Sequence, residues 1–333
     1  MFNHLNFLFM VMMITGTVIT ISSNSWIVMW MGLEINLMSF IPLISNKKWS
    51  NNTSMKYFLV QALASASLIL FILLNSSTLI LNSNFIDHSI MFLIMMALML
   101  KIGAAPFHNW VIFIANHILW SYLFILLTWQ KIAPLCMLFY CSMNNNMYMF
   151  IFLSALVGSI FNLNQNSLKK ILTYSSINHL SWIMSTFFIS KMMFLIYFSF
   201  YMMLNLVIIL MFNFMNIFYI NQMFNSTMNS KLTILVATST MMAMGGLPPF
   251  LGFLPKWMVI QTLISSSFFF LTYTLILFSL IMLFIYIQIF FSSLMLTTSM
   301  TKWTKTNKFN SLYINMYMWI MISSLIMFFM IIN

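Results

Sequence analysis

Apolar runs of about 20 residues recur along almost the whole chain, separated by short polar interruptions. A run of that length is what an α-helix needs to cross the hydrocarbon core of a membrane. Of the 333 residues, 62% are hydrophobic and 5% are charged, whereas an ordinary soluble domain carries roughly 25% charged residues. The sequence therefore predicts an all-α polytopic membrane protein, because no polar segment is long enough to form a separate extramembrane domain.

The net charge of +11 does not indicate a nucleic-acid-binding protein. Basic residues that bind a duplex cluster on a solvated face, whereas the lysines here lie mostly at the edges of the apolar runs. Cys136 and Cys141 share one apolar run and form neither a CxxC pair nor a four-cysteine cluster. We therefore expect no nucleic-acid partner, no metal site and no cofactor bound by this chain.

The apolar runs divide into eleven predicted transmembrane helices. The fourth and ninth are long and are broken by Gly and Pro, in LKIGAAPFHNW and GGLPPFLGFLPKW. Unwound backbone within a membrane is tolerated only where it lines protein or water, and matching breaks in two halves of a chain are typical of transporters built from repeats. The predicted spans are roughly 5–22, 26–44, 56–75, 88–114, 119–141, 148–164, 170–189, 193–219, 232–264, 267–294 and 312–332.

The lysines support the count of eleven, since basic residues collect on the inner side of a membrane. If each broken span crosses once, nine loop lysines fall on the side of the N-terminus, and only Lys191 falls opposite, with Asp87. Two crossings per broken span would scatter them over both sides. We expect the N-terminus inside and the C-terminus outside. The nine are Lys47, Lys48, Lys56, Lys169, Lys170, Lys231, Lys302, Lys305 and Lys308.

Eleven spans divide as five, five and one. An odd number of helices per unit makes the second unit enter the membrane from the opposite side, so the two units would be inverted repeats with the broken helix fourth in each. The predicted organisation is a single membrane domain, 1–333, with a first five-helix repeat at 1–141, a second, inverted repeat at 148–294 and an additional C-terminal helix at 312–332.

Four charged residues lie within spans, where charge is costly. Glu34, near the middle of the second span, either takes up a proton or finds a cation, and Lys101 in the fourth span is its candidate partner. Lys101 and Lys131 are candidates for a proton relay, because burial favours a neutral lysine. Lys256 follows the second break, where exposed carbonyls can hold water or a cation. The alternatives are an ion pair that only fixes helix packing, and lysine stems that carry their charge to the interface.

Three further features remain open from the sequence alone. His179 lies mid-span in SSINHLSW, where neighbouring serines could line a hydrated path, and a satisfied core histidine is an equally good interpretation. His108 follows the first break and is a candidate to face a cavity there. The segment TTSMTKWTKTNKFN fits either a short interfacial helix on anionic headgroups or a plain basic loop.

Five motifs together resemble the family of subunit 2 of mitochondrial NADH:ubiquinone oxidoreductase, respiratory complex I, in its insect-like animal form. They are SNSWIVMWMGLEINLMSFIPL, LKIGAAPFHNW, LTWQKIAPL, SSINHLSW and GGLPPFLGFLPKW, which lie between residues 22 and 257. The resemblance implies an antiporter-like fold with inverted five-helix repeats and two discontinuous helices. It also implies a mitochondrial inner-membrane protein with its N-terminus in the matrix and its C-terminus in the intermembrane space.

The function implied by the resemblance is proton translocation from matrix to intermembrane space, as a subunit of the H⁺-translocating NADH:ubiquinone reductase. Glu34 and Lys101 would form the pair that tunes the lysine, Lys131 the central relay and Lys256 the exit-side relay, with His179 as a further candidate. NADH, FMN, iron–sulfur clusters and ubiquinone are expected in partner subunits. Partners would be other membrane-arm subunits, including antiporter-like neighbours, and inner-membrane lipids, with cardiolipin as the candidate. A free-standing cation/proton antiporter and a non-pumping membrane scaffold are the alternatives.

Overall fold

The computed structural model describes residues 2–45, 51–81, 84–141, 146–225 and 231–296. Within these ranges the chain is helical, with short connections and one isolated antiparallel bridge between Ser167 and Tyr219. The residues form two compact units, of which the first is Met1–Phe150 and the second begins at Ile151. The predicted helix at 312–332 lies outside the described residues.

The first unit is built from seven helices and the start of an eighth. Close backbone packing holds the first two together: a Cβ on Gly16 would lie 2.9 Å from the carbonyl oxygen of Gly32. Small residues at a helix crossing allow this approach, which lipid-embedded helices use for packing. The helices are α1 Phe2–Ser22, α2 Trp26–Ser45, α3 Asn51–Leu81, α4 Asn84–Ile102, α5 Asn109–His117, α6 Trp120–Leu127 and α7 Trp129–Cys141.

The second unit is centred on a helix that is buried along almost its whole length, serines and asparagine included. Ser190 caps the following helix, accepting a hydrogen bond from the backbone N–H of Met193 at 3.3 Å. The helices are α8 Met147–Ile160, which begins in the first unit, the buried α9 Leu168–Ser185 with a 3₁₀ turn at Thr186–Phe188, α10 Lys191–Met215, α11 Ile220–Asn225, α12 Lys231–Gly245, α13 Phe253–Ser265 and α14 Phe269–Leu296.

Six helices in the described part of the chain are long and apolar enough to cross a membrane. Their outer faces carry large apolar side chains, such as Phe7 at 72% and Phe270 at 79% exposure. A lipid-facing surface has this character, whereas a soluble protein rarely exposes so many large apolar groups together. The chain is therefore a helical membrane protein, as the sequence predicts. The six are α1, α2, α3, the α6–α7 pair, α10 and α14.

Two predicted spans differ locally from the structure. The span 119–141 is interrupted at Thr128, whose hydroxyl donates to the carbonyl of Phe124 at 2.6 Å. Pro134, which lacks an N–H and crowds the preceding turn, weakens the helix on this side. The span 193–219 ends early because Asn216 adopts the left-handed conformation, with φ of 54°. The residues that follow pair with the start of α9 instead.

Candidate functional site

The structure brings Glu34 and Lys101 together in the first unit. Glu34 projects from α2 and Lys101 from the last turn of α4, with 3.8 Å between Glu34 Oε1 and Lys101 Nζ. The Lys101 side chain is 2% exposed and that of Glu34 is 25% exposed. At this distance the pair attracts as charges without a direct hydrogen bond, and the attraction weakens as Glu34 moves away from Lys101.

The chain leaves the helical conformation one residue after Lys101. Gly103 has a φ of 72°, which favours glycine, and the next helix begins at Asn109. Two carbonyls at the end of α4 accept hydrogen bonds from side chains. The Trp110 indole donates to Leu100 O at 3.0 Å, and the Gln61 amide donates to Lys101 O at 3.1 Å. Backbone satisfied in this way can lie at membrane depth without loss of stability.

Lys101 and Lys131 line the same small cavity. Lys131 lies in the first turn of α7 and is 3% exposed. The cavity measures about 20 Å³, which is room for about one water molecule. Polar side chains from three other elements face it, so a water molecule there would have hydrogen-bonding partners. These lining residues include Asn36, Tyr57, Gln61, Trp110 and Gln130.

A hydrogen-bonded group beside Lys131 was missed by the sequence reasoning. Gln130 accepts from the Tyr57 hydroxyl at 3.3 Å and donates to Asn36 Oδ1 at 3.0 Å. Asn36 follows Glu34 by two residues and Gln130 directly precedes Lys131, so the group ties the two charged positions to each other. An amide within an apolar run is costly unless it is hydrogen-bonded, and that signal in the sequence could have identified both residues.

Lys256 in the second unit has different surroundings. It lies in the first turn of α13, is 6% exposed, and its Nζ donates to the carbonyls of Gly245 at 2.7 Å and Met244 at 3.2 Å. These carbonyls end α12, and the last carbonyls of a helix carry partial negative charge. The C-terminus of α12 therefore holds the lysine ammonium in this unit.

His179 lies on the buried helix α9 and is 6% exposed. Its Nδ1 lies 3.0 Å from the Tyr197 hydroxyl on α10, and its ring centroid lies 5.3 Å from that of Tyr201. Neither tyrosine was a predicted site residue. Tyr197, Tyr201 and Asn205 are spaced by four within an apolar helix, a pattern that places them on one face and could have indicated them.

Other predicted residues lie apart from these groups. His108 is half-buried, with its Nδ1 3.1 Å from the carbonyl of Pro106, and it is not among the residues that line the cavity. The basic segment with Lys302, Lys305 and Lys308 lies outside the described residues. Glu34, Lys101 and Lys131 thus form one centre in the first unit, and Lys256 and His179 belong to the second.

A family of membrane proteins matches most of the chain. The family model described as NADH:quinone oxidoreductase/Mrp antiporter, TM, matches residues 23–282. The chain belongs to this family. The match includes both helix breaks and all five residues singled out in the sequence: Glu34, Lys101, Lys131, His179 and Lys256.

Two insect proteins show which members of this family the chain resembles. The chain is 42% identical over 313 residues to NADH-ubiquinone oxidoreductase chain 2 of Anopheles gambiae, covering 92% of this chain and 91% of the relative. It is 38% identical over 330 residues to the protein of the same name from Locusta migratoria, covering 97% and 95%. These insect relatives confirm the resemblance predicted from the five motifs.

Solved structures share the fold at much lower identity. A chain of respiratory complex I from Thermus thermophilus with bound aureothin superposes with a TM-score of 0.77 at 17% identity, covering 96% of this chain and 77% of that one. A chain of the Mrp complex from Dietzia sp. DQ12-45-1b gives a TM-score of 0.73 at 13% identity, covering 84% and 59%. The fold is therefore antiporter-like, as predicted.

Proposed function

We propose that this chain is a membrane-arm subunit of respiratory NADH:ubiquinone oxidoreductase that carries protons across the mitochondrial inner membrane. The observation that carries the proposal is the centre in the first unit, where Lys101 and Lys131 line one polar cavity and Glu34 lies 3.8 Å from Lys101. Buried ionisable residues within membrane helices mark ion and proton pathways. The relatives named as chain 2 of that oxidoreductase support the assignment to the complex.

The first step of the proposed mechanism takes place at the Glu34–Lys101 pair. Glu34 keeps a quarter of its side-chain surface open, so a movement in a neighbouring subunit can reach it. How strongly Lys101 holds its proton depends on that carboxylate, because a nearby opposite charge stabilises the ammonium form. A shift of Glu34 therefore controls when Lys101 binds or releases a proton.

The second step passes the proton from Lys101 to Lys131. The cavity that both lysines line has room for about one water molecule, and a water bridge allows transfer between groups that do not touch. Gln130, held by Tyr57 and Asn36, keeps the polar wall of this cavity in place. Lys131 thereby acts as the central relay.

The second unit supplies the later carriers. Lys256 is the exit-side relay, held by the carbonyls of Gly245 and Met244, and His179 is a further proton-binding group. In this proposal the chain crosses the membrane eleven times as two inverted repeats, 1–141 and 148–294, with the fourth and ninth helices discontinuous. The N-terminus lies in the matrix and the C-terminus in the intermembrane space.

Redox chemistry belongs to partner subunits in this proposal. NADH, FMN, the iron–sulfur clusters and ubiquinone bind there, and this chain contributes proton transfer alone. Antiporter-like neighbours in the membrane arm and inner-membrane lipids, with cardiolipin as the candidate, contact its outer faces. The exposed apolar side chains of α1, α10 and α14 suit such surroundings.

Replacing Lys101 or Lys131 with Met in the assembled complex tests the proposal. Methionine is one atom shorter than lysine and has no proton-binding group, so proton pumping per NADH oxidised should fall in both variants. Lys191→Met removes an exposed lysine at the start of α10 and should leave pumping unchanged. Pumping and NADH oxidation are measured together in membrane vesicles. Full pumping at normal turnover in both variants would contradict the proposal.

A free-standing cation/proton antiporter is the second candidate, favoured by the family description, which names the Mrp antiporter beside the oxidoreductase. Purified alone in vesicles, such a chain would exchange cations for protons without any partner. A membrane subunit of the oxidoreductase would be inactive in that assay. The assay therefore separates the two candidates independently of the lysine variants.

A further inference from the structure

A buried tyrosine on α10 contacts the histidine of α9. Tyr197 is 2% exposed, and its hydroxyl oxygen lies at hydrogen-bonding distance, 3.0 Å, from His179 Nδ1. The Tyr197 ring is stacked on Trp182, with the ring planes within 6° and the centroids 6.4 Å apart. Because packing fixes the ring, the hydroxyl has a fixed position against the imidazole.

The hydroxyl at this position is not needed to fill space. Phe194, Tyr197, Phe198 and Tyr201 follow the i, i+3, i+4, i+7 spacing of one buried face of α10, and the two tyrosines are the ones whose rings lie against His179. A phenylalanine ring would occupy the same volume, and burying a hydroxyl is costly unless it is hydrogen-bonded. The tyrosines therefore occur where α10 meets the imidazole of His179.

We propose that Tyr197 is the positioning residue that makes His179 a proton carrier. In this assignment Nδ1–H of His179 donates to the Tyr197 oxygen and Nε2 of the neutral ring bears the lone pair, because Nδ1 then keeps the same hydrogen bond in the imidazolium, in which both ring nitrogens are donors. The nitrogen that is protonated is set by the hydrogen bond that the other nitrogen makes. The inference rests on the proposed function, since it assigns a role to a residue within that proton path.

The proton balance of the step is simple. A proton from the path forms a bond to Nε2, which turns the imidazole into an imidazolium while Nδ1–H continues to donate to Tyr197. The same Nε2–H bond then breaks and the proton passes onward. Tyr197 neither gains nor loses a proton, so its contribution is to hold the ring and the tautomer through both states.

The test is Tyr197→Phe in the assembled complex. The variant removes one oxygen and keeps the ring that is stacked on Trp182. We expect roughly tenfold slower proton transfer through this chain, the order expected when one hydrogen bond that holds a tautomer is lost, seen as reduced pumping per NADH. The control is Tyr286→Phe, which removes a hydroxyl from another buried tyrosine of the second unit. Rates are normalised to the amount of assembled complex, so a lower yield does not affect the comparison.

A double-mutant cycle separates positioning from plain packing. If Tyr197 acts through His179, Tyr197→Phe adds no further loss in a His179→Gln background, because the two changes remove one function. Additive losses, normal pumping in Tyr197→Phe, or an equal loss in Tyr286→Phe would each overturn the inference. If Tyr197→Phe pumps normally and Lys101→Met does not, the inference about Tyr197 is wrong and the proposed function still holds. Full pumping in both lysine variants would instead remove the proposed function.

Discussion

Lys101 comes just before its helix break, whereas Lys256 comes just after its own. The helix α4 ends one residue beyond Lys101, and α13 begins three residues before Lys256. The two lysines also have different partners. A carboxylate lies 3.8 Å from Lys101, and two backbone carbonyls accept hydrogen bonds from Lys256 at 2.7 and 3.2 Å.

The difference between the partners implies a difference in what each unit can do. The partner of Lys101 is a side-chain carboxylate that is 25% exposed, so the distance between the two groups depends on the rotamer of Glu34. The carbonyls of Met244 and Gly245 carry partial charges on a fixed backbone, so the hold on Lys256 is constant. In the proposed function, this difference places control at the Glu34–Lys101 pair and conduction at Lys256.

The largest effect is expected from adding a methyl group at the second break. The Cβ of Gly252→Ala would overlap the backbone oxygen of Ala243, which cannot move aside, at a cost of at least about 3 kcal/mol. At the first break the Cβ of Gly103→Ala would meet the side chains of Val111 and Trp110 and no backbone atom, and the left-handed backbone adds about 1–2 kcal/mol.

Native gels that measure assembled complex should therefore show almost none for Gly252→Ala and a reduced amount for Gly103→Ala. This outcome would sharpen the contrast between a second break packed against backbone and a first break packed against side chains. Equal yields of assembled complex from the two variants would contradict this contrast.

The second-largest effect is expected from removing the charge of Glu34. Glu34→Gln keeps the shape of the side chain and removes its charge, which attracts a lysine at about 4 Å with about 4 kcal/mol at an effective dielectric of about 20. Losing about 1.4 kcal/mol of that attraction would already slow pumping roughly tenfold. Glu34→Asp, which keeps the charge on a shorter side chain, should retain more activity than Glu34→Gln. If the amide variant pumps at the normal rate, control does not lie at this pair.

The smallest effect is expected at the wall of the cavity. Gln130→Leu removes the hydrogen bonds to Tyr57 and Asn36, each worth about 1 kcal/mol, and leaves both lysines in place. Pumping should fall less than in Glu34→Gln, and the thermal stability of the complex should fall slightly. A loss as large as that of Glu34→Gln would show that the wall, and not the charge, controls transfer.

The charged residues of the site could be predicted because charge within an apolar run is a rare signal. That signal makes candidates of Glu34, Lys101, Lys131 and Lys256, and the Gly and Pro residues predict where the helices are interrupted, at 103–108 and 246–252. The partners of these residues could not be predicted, since they depend on which helices pack together. The carbonyls that hold Lys256 have no side-chain signature at all.

The interruption at Thr128 shows a second limit of the sequence. Residues 119–141 are apolar enough to read as one helix, and Pro134 lies six residues beyond the break. The structure places the break at Thr128, where the backbone N–H and the hydroxyl both donate to Phe124 O, and the apolar pattern does not mark that position. Tyr197 was missed for another reason: a tyrosine among many aromatic residues carries no signal until its neighbour on α9 is known.

The crossing of α1 and α2 has a consequence for inherited variation. A Cβ on Gly32 would lie 2.8 Å from the carbonyl oxygen of Gly16, so any larger residue there must push the two helices apart. Glu34 lies two residues further along the same helix and would be displaced with it. A larger residue at Gly32 that changes no charge therefore impairs proton pumping as much as one that removes the carboxylate. Its effect comes from the separation of α1 and α2, and not from any change in ionisable groups.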